Sequence, residues 1–336
     1  MTKSECVRDF GQLFMMALDG PRIPADLAEF FRTFRIGGII LFSDNYENPQ
    51  QLRELTSDLQ RLCSSPELPL FIATDHEGGS VQRFTKGFTI IPPMANYGSG
   101  PPGETERVHR LIAAELLAAG VNFNLSPVAD LSSRDAVGAI GDRSFGSDPT
   151  IVSRHVVAAM RGLLAGGVLG CVKHFPGHGS TPVDSRKDLP SVPLTRDEIE
   201  PGLEPFRAAI AAGVPAIMTA HILYPNAGDP DWPVSLSSYW LSDTLRRDLG
   251  FSGLIITDAI EMKSLSTRWT PEFCGDRALR AGADILLYYK EAHQFQAFDK
   301  LLRALEKGEL EIDRVAESLG RVFEAKRRFL THTAGL

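Results

Sequence analysis

Apolar residues along this chain gather into short, nearly unbroken runs and seldom alternate with polar ones. Eight runs stand out: Leu13–Leu18, Gly37–Phe42, Leu70–Thr74, Val121–Ser126, Gly170–His174, Ala216–Ala220, Gly253–Thr257 and Ala283–Tyr288. A strand with one wet face alternates, whereas a strand covered on both faces reads as a continuous apolar run, so these predict parallel β-strands. Amphipathic stretches lie between them. In "NPQQLRELTSDLQRLCSS" the residues Leu52, Leu55, Leu59 and Leu62 recur on one face of a helix. In "LTRDEIE", Thr195 and Glu198 have the spacing of a capping box ahead of another helix.

A junction recurs as well. "ELLAAGVNFNLSP", "LLAGGVLGCVKHF", "AIAAGVPAIMTAH", "RRDLGFSGLIITD" and "LRAGADILLYY" each end a helical pattern in small residues and Gly, and an apolar run follows at once. Gly just past a helix supplies the left-handed cap that turns the chain into the next strand. Eight strands alternating with helices predict an α/β fold, a (β/α)8 barrel, formed by residues 1–336 as one domain, with terminal helices from about Phe295. A doubly wound open sheet is the other arrangement of such units, but no G-x-G-x-x-G follows the first strand.

Composition narrows the class of partner. The 336 residues are 43% hydrophobic and 23% charged, with a net charge of −7 and no basic stripe. Nucleic acid and anionic membrane are therefore poor partners, and a small or neutral ligand is expected. Cys6, Cys63, Cys171 and Cys274 have no C-x-x-C spacing, which argues against a zinc site or a disulfide framework and fits a reducing compartment. The N-terminal stretch is charged and mixed, unlike a signal peptide, and no run is long enough to span a membrane; a cytoplasmic protein is expected.

The barrel makes a sharper claim, because active sites of such folds sit at the C-terminal ends of the strands. Those ends carry Asp19, Asp44, Asp75 with His76 and Glu77, Asp130, Lys173 with His174, His221, and Asp258. Any one of the aspartates reads equally well as a helix cap. Together they describe a pocket suited to a polyhydroxylated ligand. His174 and His178 form an H-x-x-x-H, but Pro176 and Gly177 keep it off a helix, and neither H-E-x-x-H nor H-x-H accompanies it, so no metal is expected. Lys173 is read as a charged hydrogen-bond donor in preference to a Schiff-base lysine. Asp258, ending "LIITD", is a helix cap or a carboxylate nucleophile or base held rigidly at the barrel mouth. Asp75, Glu77 and Arg83 surround Gly78 and Gly79, a turn that could bring backbone close to a ligand, and Arg143 could fork onto paired hydroxyls or a carboxylate.

Taken together, "GGIILF", "DHEGGSVQRF", "NFNLSPVADL", "GDRSFGSDP", "KHFPGHGSTPVDS", "MTAHILYP" and "GFSGLIITDAIEM" resemble glycoside hydrolase family 3, within it the single-domain bacterial β-N-acetylglucosaminidases. The matching pieces run in family order from about residue 35 to 262. The resemblance implies a (β/α)8 barrel and cofactor-free, retaining hydrolysis of terminal β-linked N-acetylglucosamine, with peptidoglycan fragments (anhydro-muropeptides) as substrates. In such hydrolysis one carboxylate attacks the anomeric carbon and a second group protonates the leaving oxygen. By the resemblance, Asp258 is the nucleophile. Asp75, Arg83, Arg143, Lys173 and His174 align with residues that grip the sugar hydroxyls; His178 is read from its own loop, with His174, as bonding ligand hydroxyls or bracing that loop. A monomer without a second domain is expected.

The proton donor departs from the family. The subgroup carries it as the histidine of a D-S-H triplet on the loop after "KHFPGHG"; here the triplet is Asp184, Ser185, Arg186. Arginine cannot be deprotonated in a protein, so Arg186 is no general acid near neutrality. Three readings stay open. Another loop group (His178, Asp184 or Asp188) donates the proton; or the substrate or a phosphate acceptor lessens the need for an acid, Arg186 binding an anion; or the chain is a sugar binder of little activity. A β-glucosidase or phosphorylase specificity is a further alternative. Ser80 and Ala259, where relatives often carry Arg and a second Asp, remove no assigned role.

Overall fold

A computed structural model describes residues 1–63, 68–132, 138–179, 181, 185, 187–289 and 291–330. Its strands are β1 (Phe14–Ala17), β2 (Gly38–Leu41), β3 (Phe71–Thr74), β4 (His76–Gly78), β5 (Val81–Gln82), β6 (Phe123–Asn124), β7 (Leu169–Phe175), β8 (Ala216–Thr219), β9 (Leu254–Thr257) and β10 (Leu286–Leu287). All but β4 and β5, which form a separate hairpin, pair in parallel in the order β10-β1-β2-β3-β6-β7-β8-β9. The ring closes between its ends through Thr257 N–H to the Ile285 carbonyl at 3.0 Å and Ile285 N–H to the Ile255 carbonyl at 3.1 Å. Each of the eight ring strands coincides with one of the apolar runs, and every ring-strand residue is buried.

The connecting helices are α1 (Lys3–Asp9), α2 (Ala25–Phe34), α3 (Pro49–Cys63), α4 (Pro102–Ala118), α5 (Pro149–Ala165), α6 (Arg196–Ala211), α7 (Lys263–Ser266), α8 (Pro271–Ala281), α9 (Glu291–Lys307) and α10 (Ile312–Phe329), with a π-helix, Tyr239–Asp248, between β8 and β9. On α3, Leu52, Leu55 and Leu59 are buried as their spacing requires, each contributing about 2 kcal/mol of apolar burial. The capping box of α6 is formed: Glu198 Oε2 accepts from Thr195 N–H at 2.8 Å, and Thr195 Oγ1 from Glu198 N–H at 3.4 Å. The recurrent junction glycines, Gly120, Gly167, Gly213, Gly250 and Gly282, all have positive φ. At Gly120 space demands glycine too, since a Cβ would lie 2.2 Å from Thr56 Oγ1.

Three elements differ from the sequence expectation, the first being the run Ala283–Tyr288, of which only Leu286–Leu287 forms a strand. The run Val121–Ser126 makes a strand of only two residues, and asparagine side chains add to its backbone bonds with β3. Asn122 Oδ1 accepts from Ile72 N–H at 2.8 Å, and Asn124 Oδ1 from His76 N–H at 3.0 Å. The terminal helical region begins at Glu291 rather than Phe295, so α9 follows β10 closely as the eighth helix of the ring. At the N-terminal end of the barrel the buried Asp284 carboxylate gathers Arg246, Arg314 and Arg321 and accepts from Ser318 Oγ at 2.8 Å, tying α10 to β10. That end is locked, and the opposite end is open.

Candidate active site

The C-terminal ends of the strands open into a cavity of about 850 Å³, room for more than one sugar ring. Asp75, immediately after β3, and Glu77, in β4, lie two residues apart on an extended segment, so both project the same way. Asn124 holds that segment at both backbone polar groups of His76, accepting from its N–H and donating through Nδ2 to its carbonyl at 2.9 Å. The β4–β5 hairpin then folds Arg83 back, and Arg83 Nη2 reaches Asp75 Oδ2 at 2.9 Å. Gly78 permits this turn: its φ is +100°, and a Cβ there would meet the Pro92 carbonyl oxygen at 2.9 Å.

From β7, Lys173 enters the same cluster. It is 2% exposed, with Nζ 2.8 Å from Asp75 Oδ1 and 2.6 Å from Glu77 Oε1. Arg143 completes it with a two-pronged contact, Nε to Glu77 Oε2 and Nη2 to Glu77 Oε1, both 2.8 Å. Burial alone would neutralise these groups. Their mutual attraction outweighs it: the Asp75 and Glu77 carboxyls are held below their ordinary range, Glu77 at about 2, and the Lys173 ammonium is raised by Asp75 and Glu77. Paired with both carboxylates, the Lys173 ammonium is stabilised in its charged form, which disfavours a Schiff-base amine.

Asp130, after β6, organises the two histidines. Its Oδ2 lies 2.7 Å from His174 Nδ1, and its Oδ1 accepts the His178 backbone N–H at 2.6 Å. The imidazoles, 5.8 Å apart between centroids, are turned to different tasks. His174 shows the cavity its other edge, whereas His178 has Nδ1 on Thr181 Oγ1 and Nε2 on Ser185 Oγ, both at 2.8 Å. His178 therefore braces the loop. Among the described residues no group of three His, Cys, Asp or Glu is placed to hold a metal ion.

Asp258 stands at the end of β9 and lines the same cavity. Its Oδ1 accepts from Ala259 N–H at 2.7 Å, and Oδ2 has no partner among the described residues. The structure thus brings Asp75, Arg83, Arg143, Lys173, His174, His178 and Asp258 around one cavity. Asp184 and Arg186 lie outside the described residues. Asp188 is exposed and does not line the cavity. Sequence reasoning left Glu77 and Asp130 without roles. The i, i+2 spacing of Asp75 and Glu77 was the available signal for the first; Asp130 offered none beyond its strand-end position.

The cluster makes a stability prediction. The lowered Glu77 pKa means that its ionised form stabilises the fold fully above pH 4.5, the contribution fading as pH falls toward 2. Glu77→Gln leaves Arg143 uncompensated, and its expected cost is about 3–5 kcal/mol at pH 7. Denaturant titrations from pH 7 down to pH 3 should show the gap between variant and wild type narrowing below pH 4.5. A gap that is pH-independent would mean the loss is one of packing.

A sequence model of the glycosyl hydrolase family 3 N-terminal domain matches residues 7–325. A beta-hexosaminidase of Chromobacterium violaceum is 40% identical over 279 residues, 80% of this chain and 75% of that one. The solved structure of a family 3 β-N-acetylglucosaminidase from Paenibacillus sp. superposes with a TM-score of 0.92 at 36% identity, covering 100% of this chain. This chain spans 64% of that enzyme's length. NagZ from Neisseria gonorrhoeae, solved with N-trifluoroacetyl-D-glucosamine, superposes at 0.79 with 32% identity over 96% of this chain and 98% of its own.

Proposed function

The chain belongs to glycoside hydrolase family 3, and from that membership we propose a β-N-acetylglucosaminidase that releases terminal β-linked N-acetylglucosamine with retention of configuration. The observation that carries the reading is the meeting, in one cavity, of a carboxylate whose Oδ2 has no partner among the described residues and a cluster of paired charges. Asp258 attacks the anomeric carbon through Oδ2 as the bond to the aglycone oxygen breaks and that oxygen leaves, taking up a proton; water then hydrolyses the resulting glycosyl ester, releasing the sugar and restoring the carboxylate. The cluster of Asp75, Glu77, Arg83, Arg143 and Lys173, with His174, holds the ring hydroxyls. Because its charges are already paired, it needs no rearrangement when the sugar binds, and the binding energy goes to orientation.

Peptidoglycan fragments are the natural substrates in this reading, and the cytoplasm is the place of action. The names of the relatives and the hydroxyl-binding character of the site support the sugar; the family's habitual substrates support the fragments. The chain works as one catalytic unit, a monomer without cofactor, and Arg186 replaces the loop acid. No described helix is long and apolar enough to cross a membrane.

Steady-state hydrolysis of 4-nitrophenyl β-N-acetylglucosaminide against the β-glucoside, with the product anomer followed by NMR, tests the reading. The acetamido sugar should be the better substrate, and the β-anomer should appear first. An α-anomer as first product would exclude a covalent intermediate. A sugar phosphate formed in phosphate buffer would make the protein a phosphorylase. Sugar binding without turnover would make it a binder.

A further inference from the structure

β8 ends at Thr219, and two residues later His221 is fully buried beside the end of β9. His221 Nε2 lies 3.0 Å from the Ala259 carbonyl oxygen, and Nδ1 lies 2.7 Å from Ser235 Oγ. A carbonyl only accepts, so Nε2 carries the proton, and in the neutral ring Nδ1 accepts from the Ser235 hydroxyl. The ring is thereby confined to one tautomer and one orientation. Burial, which lowers the His221 pKa, agrees with a neutral ring.

Ala259 is consequently held at both ends. Its carbonyl accepts from His221, and its N–H donates to Asp258 Oδ1 at 2.7 Å. The backbone N–H of Asp258 is fixed in turn on the Thr219 carbonyl of β8, at 3.2 Å. These contacts occupy Oδ1 and leave Oδ2, without a partner among the described residues, to the cavity. We infer that His221, oriented by Ser235, is a positioning residue: it locks the residue after Asp258 so that the free carboxylate oxygen stays aimed at the anomeric carbon. The inference rests on the reading of Asp258 as the nucleophile. Nothing in "MTAHILYP" or in "TDAIEM" alone discloses it, because the two segments meet only across the β8–β9 pair, 38 residues apart.

Such a role has a kinetic signature that a packing role lacks. A misplacement of about 1 Å at a reacting group costs on the order of 100-fold in rate. His221→Leu should therefore lower kcat for 4-nitrophenyl β-N-acetylglucosaminide by about 10- to 100-fold while KM stays within about twofold. His221→Gln keeps a donor of similar reach toward Ala259 and should recover much of the loss. Ser235→Ala frees the ring's other edge and should lower kcat by several-fold, again at constant KM.

Thermal melts establish that each variant folds; should His221→Leu fail, Ser235→Ala and His221→Gln carry the test. The inference is overturned if kcat is unchanged in folded His221→Leu or Ser235→Ala. A loss appearing in KM, or a Gln variant no better than Leu, overturns it as well. Asp258→Asn, assayed alongside, separates the two levels. If it is inactive while the His221 and Ser235 variants match wild type, this inference alone fails; if it retains wild-type turnover, the nucleophile reading fails first.

Discussion

Asp258→Asn is expected to lower kcat on 4-nitrophenyl β-N-acetylglucosaminide by roughly 10⁴- to 10⁶-fold, the scale of losing a nucleophile that works with its neighbours as a unit. Asparagine has almost the same shape, and its side-chain oxygen can still accept from Ala259 N–H, so the cavity wall keeps its form. What disappears is the anionic oxygen that forms the glycosyl ester and offsets the positive charge of the oxocarbenium-like transition state. Stability should change little, because Asp258 has no cationic partner within the described residues, and none is left buried and unpaired. This is the reverse of Glu77→Gln, which breaks a contact to Arg143 inside a closed cluster. A mechanism-based fluorosugar should add one sugar unit to wild-type protein, at Asp258, and nothing to the variant. Asp258→Asn activity within tenfold of wild type would remove Asp258 from the chemistry altogether.

What was legible in the sequence follows the range of the forces involved. Strands and helix ends are decided locally. A strand enclosed on both faces must be apolar throughout, and a helix turning at once into such a strand needs a left-handed residue, so eight runs and five glycines were enough to place the barrel. The open end of the barrel followed, and with it the strand-end residues that share the cavity. The partners within the site were not legible. Lys173 meets Asp75 across 98 residues, Arg143 meets Glu77 across 66, and His174 meets Asp130 across 44. Such pairs depend on which strands become neighbours and in what register, and no period within one segment encodes that. The H-x-x-x-H shows the difference: its spacing says nothing of Asp130, the carboxylate from the loop after β6 that contacts both residues. The asparagine bonds beside β6 were hidden for the same reason, since Asn122 and Asn124 find their partners, Ile72 and His76, about 50 residues away.

The loop substitution gives the other large effect. Arg186→His is expected to raise kcat/KM for an unactivated N-acetylglucosamine disaccharide by about 10²- to 10⁴-fold, the usual worth of a positioned general acid. Cleavage of the 4-nitrophenyl glycoside should rise little, because 4-nitrophenolate leaves without being protonated. The contrast between the substrates identifies the affected step as proton transfer to the leaving oxygen, since better sugar binding would raise both alike. The restored rate should also fall away above the histidine's pKa, near 6.5 if unperturbed, where the acid form is lost. If wild type already cleaves the disaccharide efficiently, and Arg186→His adds nothing, another group donates the proton. His178 would have to give up Thr181 or Ser185 to do so, and Asp188 would have to cross from the exposed surface into the cavity. Asp184 would then be the first to replace by Asn. A wild type confined to activated substrates, and an Arg186→His variant that is not, would instead mean that the family's sugar grip and nucleophile persist here around a single missing proton.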